Sequence, residues 1–149
     1  MLTAPTVDSL TLTVKDEMLV RATLEHTFDS VIAQMGRLNE TPDGKPFPMV
    51  VEPWPGGRWF RDLGGDNGHL WGHVQSIKRP TLLEIYGPLF MSYPVMSNLQ
   101  YRLKEVEGGT LIVFQHLALG FIDDEHRRGV TEGWKPLLQR IRVAAEGKE

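Results

Sequence analysis

A series of short segments with alternating apolar and polar residues, separated by turns rich in glycine and proline, most constrains the fold of this chain. A period of two residues is typical of β-strands, because successive side chains point to opposite faces of a sheet. The turn Glu107-Gly108-Gly109 separates the last two segments and is the strongest hairpin signal in the sequence. The pattern predicts a meander of six antiparallel strands at residues 49–54, 58–62, 70–78, 81–86, 98–106 and 110–118.

The N-terminal part of the chain adds a strand region and a short helix. Residues 10–14 and 19–24 are rich in β-branched and apolar side chains, which favours either a strand pair or one long bent strand. Apolar residues at helical spacing follow. We expect this helix to be capped by Thr27 or Asp29 and to end at Gly36.

The C-terminal part predicts one amphipathic helix that begins at Asp123. Pro136 has no backbone N–H to donate, so we expect it to kink or delimit the helix near Gly133. The helical segment before such a kink could act as a separate lid. The apolar residues that define the helix face are Trp134, Leu137, Leu138, Ile141 and Val143.

Composition narrows the class of protein. A chain of 149 residues predicts one domain, residues 1–149, and its net charge of −3 lacks the basic field of a general nucleic-acid binder. The absence of cysteine excludes a disulfide framework and a thiolate metal site. No apolar run approaches the roughly 20 residues that span a bilayer, and residues 1–9 lack the features of a signal peptide. We therefore expect a cytoplasmic protein that binds neither nucleic acid nor membranes.

The order of the elements predicts an α+β fold with a strongly antiparallel sheet. A sheet that is curved by its turns and glycines, with one amphipathic helix laid along it, encloses a space between sheet and helix. Such a space is the natural position of a ligand site.

Several short motifs in this order resemble a known family. The chain is similar to the family named for the C-terminal domain of the activator of the heat-shock protein 90 ATPase, which belongs to the START-like, or birch-pollen-allergen-like, superfamily of helix-grip proteins. The resemblance extends over roughly residues 19–145. The residues that carry it are Glu52-Pro-Trp-Pro-Gly-Gly-Arg-Trp59, Gly72 and Val74 with Pro80 before Leu82, Gly109-Thr110, His116 and Gly133-Trp134.

This resemblance implies a helix-grip fold, in which a curved antiparallel sheet of about six or seven strands is wrapped around a long C-terminal helix. It also implies a cavity for a small apolar or lipid-like molecule, which is our first functional hypothesis. The second hypothesis is a co-chaperone in the stress response, with a heat-shock ATPase as its partner. The third is an enzyme of the cyclase or dehydratase kind. Fold alone does not decide among these functions.

Large aromatic residues are the candidates for the walls of the cavity. In most proteins of this size such residues form the core, whereas some of them must line the cavity of a helix-grip fold. A strand register that slips by one residue would exchange every inward and outward assignment. The candidates for ligand binding are Trp59, Trp71, Tyr86, Phe90, Tyr101 and Trp134, with Arg58 or His116 as the polar anchor.

Both proposed anchors also have a structural interpretation. Arg58 lies between two tryptophans in the sequence, so its guanidinium could pack over an indole face or bind an anion at the cavity mouth. His116 alternates with apolar residues of the last strand, which predicts that it faces the cavity as a satisfied core histidine or as a ligand contact. Residues 90–96 are unusually apolar for a connection, and we expect them to gate the pocket or to bury themselves in a homodimer.

The sequence offers little support for a metal, a cofactor or a catalytic pair. His69 and His73 share one strand face, but four residues of strand separate them by about 13 Å, too far for one ion. No phosphate-binding or dinucleotide motif is present, so we expect no cofactor. An enzyme would use His116 with Glu84 or a tyrosine as an acid–base pair, although no fixed spacing supports it. The chain could be a monomer or a homodimer.

Overall fold

The computed structural model describes residue 4 and residues 6–147. The chain folds into seven strands and three helices within these residues. Their bounds are α1 (Val7–Leu10), β1 (Thr11–Val20), α2 (Leu24–Met35), β2 (Val50–Val51), β3 (Arg58–Gly64), β4 (Asn67–Lys78), β5 (Leu82–Gly87), β6 (Val95–Val106), β7 (Gly109–Gly120) and α3 (Asp124–Glu146).

All seven strands form one antiparallel sheet in the order β1-β7-β6-β5-β4-β3-β2. Strands β6 and β7 pair from Val106↔Gly109 outward, so the predicted hairpin is confirmed. Gly108 in its turn has φ of +89°, a left-handed conformation that favours glycine. The predicted α+β helix-grip fold, with its curved sheet and long C-terminal helix, is confirmed.

The inner face of the sheet and the apolar faces of α2 and α3 form the core. Alternate residues of β7, from Thr110 through His116 to Ala118, are buried, which is the parity that the sequence predicted for this strand. Among the largest fully buried side chains are Trp59, Tyr101, Phe28, Phe114 and Met35. The core therefore lies between the sheet and two helices.

The N-terminal elements differ in part from the prediction. One continuous strand, β1, replaces the alternative of a strand pair. Helix α2 is capped by Thr23, four residues before Thr27 and six before Asp29, and the Thr23 side chain accepts a hydrogen bond from the backbone of His26 at 3.1 Å. The prediction of a cap at Thr27 or Asp29 is wrong, since both lie inside the helix; its end at Gly36 is confirmed.

Helix α3 begins as predicted, with the Asp123 carboxylate accepting a hydrogen bond from the backbone of His126 at 2.7 Å. The prediction that Pro136 delimits it is wrong, because the helix continues to Glu146. A proline inside a helix costs about 3 kcal/mol, whereas each large apolar side chain that is buried contributes roughly 1.5–3 kcal/mol. Leu137, Leu138 and Ile141 are all buried directly beyond the proline, and their packing outweighs its cost.

Within residue 4 and residues 6–147, no helix has the length and apolar character that crossing a membrane requires.

Candidate functional site

A cavity of about 460 Å³ lies between the sheet and α3. Its sheet side is formed by β3 and β4, its rim by the connection between α2 and β2, and its other wall by α3. The lining residues are Asn39, Glu40, Thr41, Pro42, Phe47, Trp59, Trp71, Phe90, Glu125, His126, Gly129, Val130, Gly133, Trp134, Leu137 and Arg140. Most of this surface is aromatic or aliphatic.

An aromatic cluster centred on Trp71 forms the sheet side of the cavity. Its ring packs edge-on against Trp59, with centroids 5.0 Å apart, and against Phe90 at 5.6 Å. Phe47 lies 6.1 Å from it on the rim. Edge-to-face contacts at these distances stabilise aromatic pairs beyond their apolar area, so the wall is ordered by its own packing.

The three indole N–H groups of the wall are all satisfied by protein acceptors. Trp59 Nε1 donates to the Met35 carbonyl at 2.9 Å, and Trp71 Nε1 donates to His69 Nδ1 at 3.1 Å. Trp134 Nε1 donates to His116 Nδ1 at 3.0 Å. Because these donors are engaged, the tryptophans offer the cavity only their apolar ring surfaces.

The His116 imidazole is the buried support of Trp134. An indole N–H can only donate, so Nδ1 of His116 is the acceptor and the proton is on Nε2. That nitrogen lies 2.8 Å from Ser97 Oγ and donates to it. Burial lowers the pKa of His116 to about 4, because the charged form loses its hydration. His116 is therefore neutral at ordinary pH and positions Trp134 against Phe114, whose ring centroid lies 5.2 Å away.

Two glycines form the gap on the helix side of the cavity. Gly129 and Gly133 are one turn apart in α3 and both line the cavity. A Cβ atom built on either would meet no described atom within 4 Å. The sequence analysis singled out Gly133 only as part of a motif and missed Gly129; the available signal was two glycines at i and i+4 inside an amphipathic helix.

Polar side chains occupy the two ends of the cavity. At one end, Arg140 of α3 lies beside Glu40, and Asn39 donates to the Phe47 carbonyl at 3.1 Å. At the other end His126 stacks on Tyr93, with centroids 5.4 Å apart.

The Tyr93–His126 contact joins α3 to the connection between β5 and β6. The Tyr93 hydroxyl lies 2.8 Å from His126 Nδ1. Burial and the charge of Asp123 raise the pKa of Tyr93, so its hydroxyl keeps its proton at ordinary pH. Within the same connection, which was predicted to gate the pocket or form a dimer face, Phe90 lines the cavity while Met91 is buried.

The structure brings together four of the eight predicted ligand-binding residues at the cavity: Trp59, Trp71, Phe90 and Trp134. Tyr101 and His116 lie on the inner face, fully buried, and neither lines the cavity. Tyr86 lies on the outer face, where it is 41% exposed and stacks on His73 at 5.8 Å. Successive side chains of a strand point to opposite faces of the sheet. Tyr101 occupies an inward position of β6, whereas Tyr86 occupies an outward position of β5.

Arg58 lies outside the cavity lining and stabilises the turn between β2 and β3. Its Nε and Nη2 each donate to the Glu52 carboxylate at 2.8 Å, and its backbone N–H donates to the same group. These bonds hold the pKa of Glu52 down at about 2. The guanidinium lies over Phe60, 4.4 Å from the ring centroid, so the predicted packing over an indole is wrong.

The sequence analysis also considered an acid–base pair of His116 with Glu84 and a metal site. Glu84 accepts hydrogen bonds from Asn98 and Gln100. Glu84 lies opposite Gln100 in the sheet, and Gln100 lies opposite Gln115, so the three side chains share one face. His116 is the next residue after Gln115, and its side chain therefore points to the other face. The hypothetical acid–base pair of His116 and Glu84 is therefore split between the two faces of the sheet. The described residues contain no cluster of three or more His, Asp or Glu side chains that could hold a metal ion.

Comparison with known proteins identifies a family and a shared fold. The family model described as Activator of Hsp90 ATPase homolog 1-like protein matches residues 44–146. No curated protein sequence matches the chain.

Three solved structures illustrate the fold. A Mesorhizobium loti protein has a TM-score of 0.68 at 16% identity, with 92% of this chain and 98% of that one covered. An uncharacterized Rhizobium leguminosarum protein has a TM-score of 0.69 at 17% identity, with coverage of 91% and 95%. The di-domain ARO/CYC StfQ of the steffimycin biosynthetic pathway has a TM-score of 0.66 at 10% identity, with coverage of 94% and 52%. At these identities the likeness shows the fold alone.

Proposed function

The chain belongs to the family of Activator of Hsp90 ATPase homolog 1-like proteins, and from that premise we propose that it binds a small, flat, apolar molecule between its sheet and α3. The observation that carries this proposal is the aromatic wall: three indoles whose N–H groups are all engaged elsewhere line a cavity of about 460 Å³. Ligand cavities typically measure about 300–1,000 Å³ and are mostly apolar with a few polar groups.

The wall favours a flat ligand over a flexible chain. Trp71 is half-buried, whereas Trp59 is 1% exposed and meets Trp71 at an interplanar angle of 77°, so the sheet side offers chiefly the ring surface of Trp71. Aromatic rings gain most from offset-stacked or edge-to-face contacts, which a planar ligand can make with the Trp71 ring. The two glycines of α3 leave space opposite this wall, so a ligand would be held between the indoles and the helix backbone.

The co-chaperone hypothesis needs no such cavity. Contact with a heat-shock ATPase does not by itself require two glycines in α3, each of which costs the helix about 1 kcal/mol relative to alanine. The enzyme hypothesis gave the acid–base role to His116, which supports Trp134 from outside the cavity lining. Both remain predictions, and ligand binding is the function that the geometry favours.

Two measurements test this proposal. Native mass spectrometry of protein purified from its own host reports any co-purifying small molecule. Titration with the neutral fluorescent dye N-phenyl-1-naphthylamine reports access to the cavity, and we expect saturable binding with quenching of tryptophan fluorescence.

The variant Gly133→Leu tests where the dye binds. Its side chain enters the space in which a Cβ meets no described atom, so we expect it to abolish dye binding without unfolding the protein. The matched control is Gln139→Leu, which adds the same side chain at an exposed position of α3 outside the cavity. Equal dye affinity in Gly133→Leu and the wild type would refute binding in the cavity.

A further inference from the structure

Among the described residues that line the cavity, Arg140 is the one whose side chain carries a permanent positive charge at ordinary pH. It lies in the last third of α3, at the end of the cavity bounded by Asn39, Glu40 and Thr41. Only 19% of its side chain is exposed. A guanidinium in such a position is ordinarily engaged by carboxylates or carbonyls, since arginine is seldom buried unless it is paired.

The protein leaves most of the hydrogen-bonding capacity of Arg140 unused. Its Nε atom is buried and has no hydrogen-bond partner among the described residues. The nearest carboxylate oxygen, Glu40 Oε1, lies 3.9 Å from it, beyond hydrogen-bond distance. Its Nη2 reaches the Glu40 carbonyl only at 3.5 Å. By contrast, the exposed Arg58 makes two bonds of 2.8 Å to one carboxylate.

A second buried donor near Arg140 also lacks an acceptor. The Tyr101 hydroxyl is fully buried and has no partner within the described part of the chain. Burial raises the pKa of Tyr101, and the charge of Arg140 acts on the phenol in the opposite direction. Two donors at this end, Arg140 Nε and the Tyr101 hydroxyl, therefore lack a hydrogen-bonded acceptor among the described residues, and the Glu40 carboxylate approaches the first only to 3.9 Å.

We propose that the ligand carries an acidic oxygen group, a carboxylate or a sulfonate, which binds the Arg140 guanidinium while its apolar body lies against the tryptophans. This inference rests on the proposed function and adds the chemical class of the ligand: a flat apolar acid. The guanidinium fork matches such an anion with two parallel hydrogen bonds. Glu40 is 38% exposed and only loosely paired, so its carboxylate moves into solvent when the anion binds.

A matched pair of dyes separates the anchor from the apolar cavity. N-phenyl-1-naphthylamine is neutral, and 1-anilinonaphthalene-8-sulfonate has the same ring skeleton with one sulfonate added. We expect the wild type to bind the sulfonate dye at least about tenfold more tightly, because a charge-assisted hydrogen bond in a partly desolvated site contributes about that factor or more. The difference should shrink in high salt.

Three variants complete the test. Arg140→Met keeps the apolar stem of the side chain and should cost the sulfonate dye at least about tenfold more affinity than it costs the neutral dye. Arg128→Met removes the same charge from an exposed position of α3 outside the cavity and should leave both affinities unchanged. Glu40→Gln removes the competing carboxylate and should strengthen binding of the sulfonate dye, which keeps the test decisive if Arg140→Met fails to fold.

The outcomes distinguish the two proposals. If neither dye binds the wild type, the cavity is no binding site and the proposed function fails. If both dyes bind equally and neither Arg140→Met nor Glu40→Gln changes the preference, the anchor is refuted while the proposed function stands. An equal loss for both dyes in Arg140→Met also refutes the anchor, because it shows a wall contact without charge recognition.

Discussion

The burial of His116 predicts how the free energy of unfolding depends on pH. Its pKa falls from an ordinary 6.5 to about 4 in the folded protein, because the imidazole is fully buried between Trp134 and Ser97. In the unfolded chain the ring takes up a proton below about pH 6.5, whereas the folded protein takes it up only near pH 4. The unfolded state therefore binds more protons in this window, and stability must fall as the pH falls through it.

The size of the effect follows from the shift. One pKa unit corresponds to about 1.36 kcal/mol, so a shift from 6.5 to about 4 corresponds to about 3.4 kcal/mol in total. By the same linkage, about 2 kcal/mol of this is lost between pH 7.5 and pH 5. That loss is well within reach of an unfolding experiment.

Urea unfolding of the wild type and of His116→Gln, measured between pH 7.5 and pH 5, tests this prediction. Glutamine does not titrate but retains a donor and an acceptor. Other titrating groups contribute equally to both proteins, so the difference between their free energies of unfolding isolates His116. We expect this difference to change by about 2 kcal/mol in favour of the variant as the pH falls. A difference that stays constant with pH would refute the buried, neutral imidazole.

The other predictions concern local features. Gly129→Ala should raise the free energy of unfolding by up to about 1 kcal/mol, measured in urea, because a Cβ there meets no described atom within 4 Å; a loss of stability would contradict the open space. Gly57→Ala should strongly destabilise the protein in a thermal melt, since its Cβ would lie 1.9 Å from the Glu52 carbonyl oxygen. Glu52→Gln should lower the melting temperature at pH 7 and remove the part of the acid sensitivity that arises as the pH falls from about 4.5 to about 2; identical pH profiles would exclude the Arg58 pair as its source.

The local pattern of the sequence was sufficient for the sheet and for most of its inner face. The alternation through His116 predicted which side of β7 is buried, and the glycine turn before Gly109 predicted the β6–β7 hairpin. The alternation and the glycine turn are local signals, because each lies within the strand or hairpin that it predicts. The family motifs predicted the helix-grip arrangement that the fold confirms. Pro136 misled the prediction, because its local cost is offset by packing that the local sequence does not display.

The sequence by itself therefore determined the strands of the meander, the order of the main elements and the buried face of β7, whereas it missed α1 and placed Tyr86 on the wrong face of the sheet. Only the tertiary structure decided where the cavity lies and which groups bound it. Arg140 and Glu40 are one hundred residues apart in the chain and meet through the packing of α3 against a connection. Trp71 of a strand and Gly133 of a helix line the same cavity. The spacing of apolar residues along a helix or strand predicts which of its sides is buried, because this depends only on the residues of that element. A cavity is the space left where distant elements fail to fill the interior, and it depends on how they pack together.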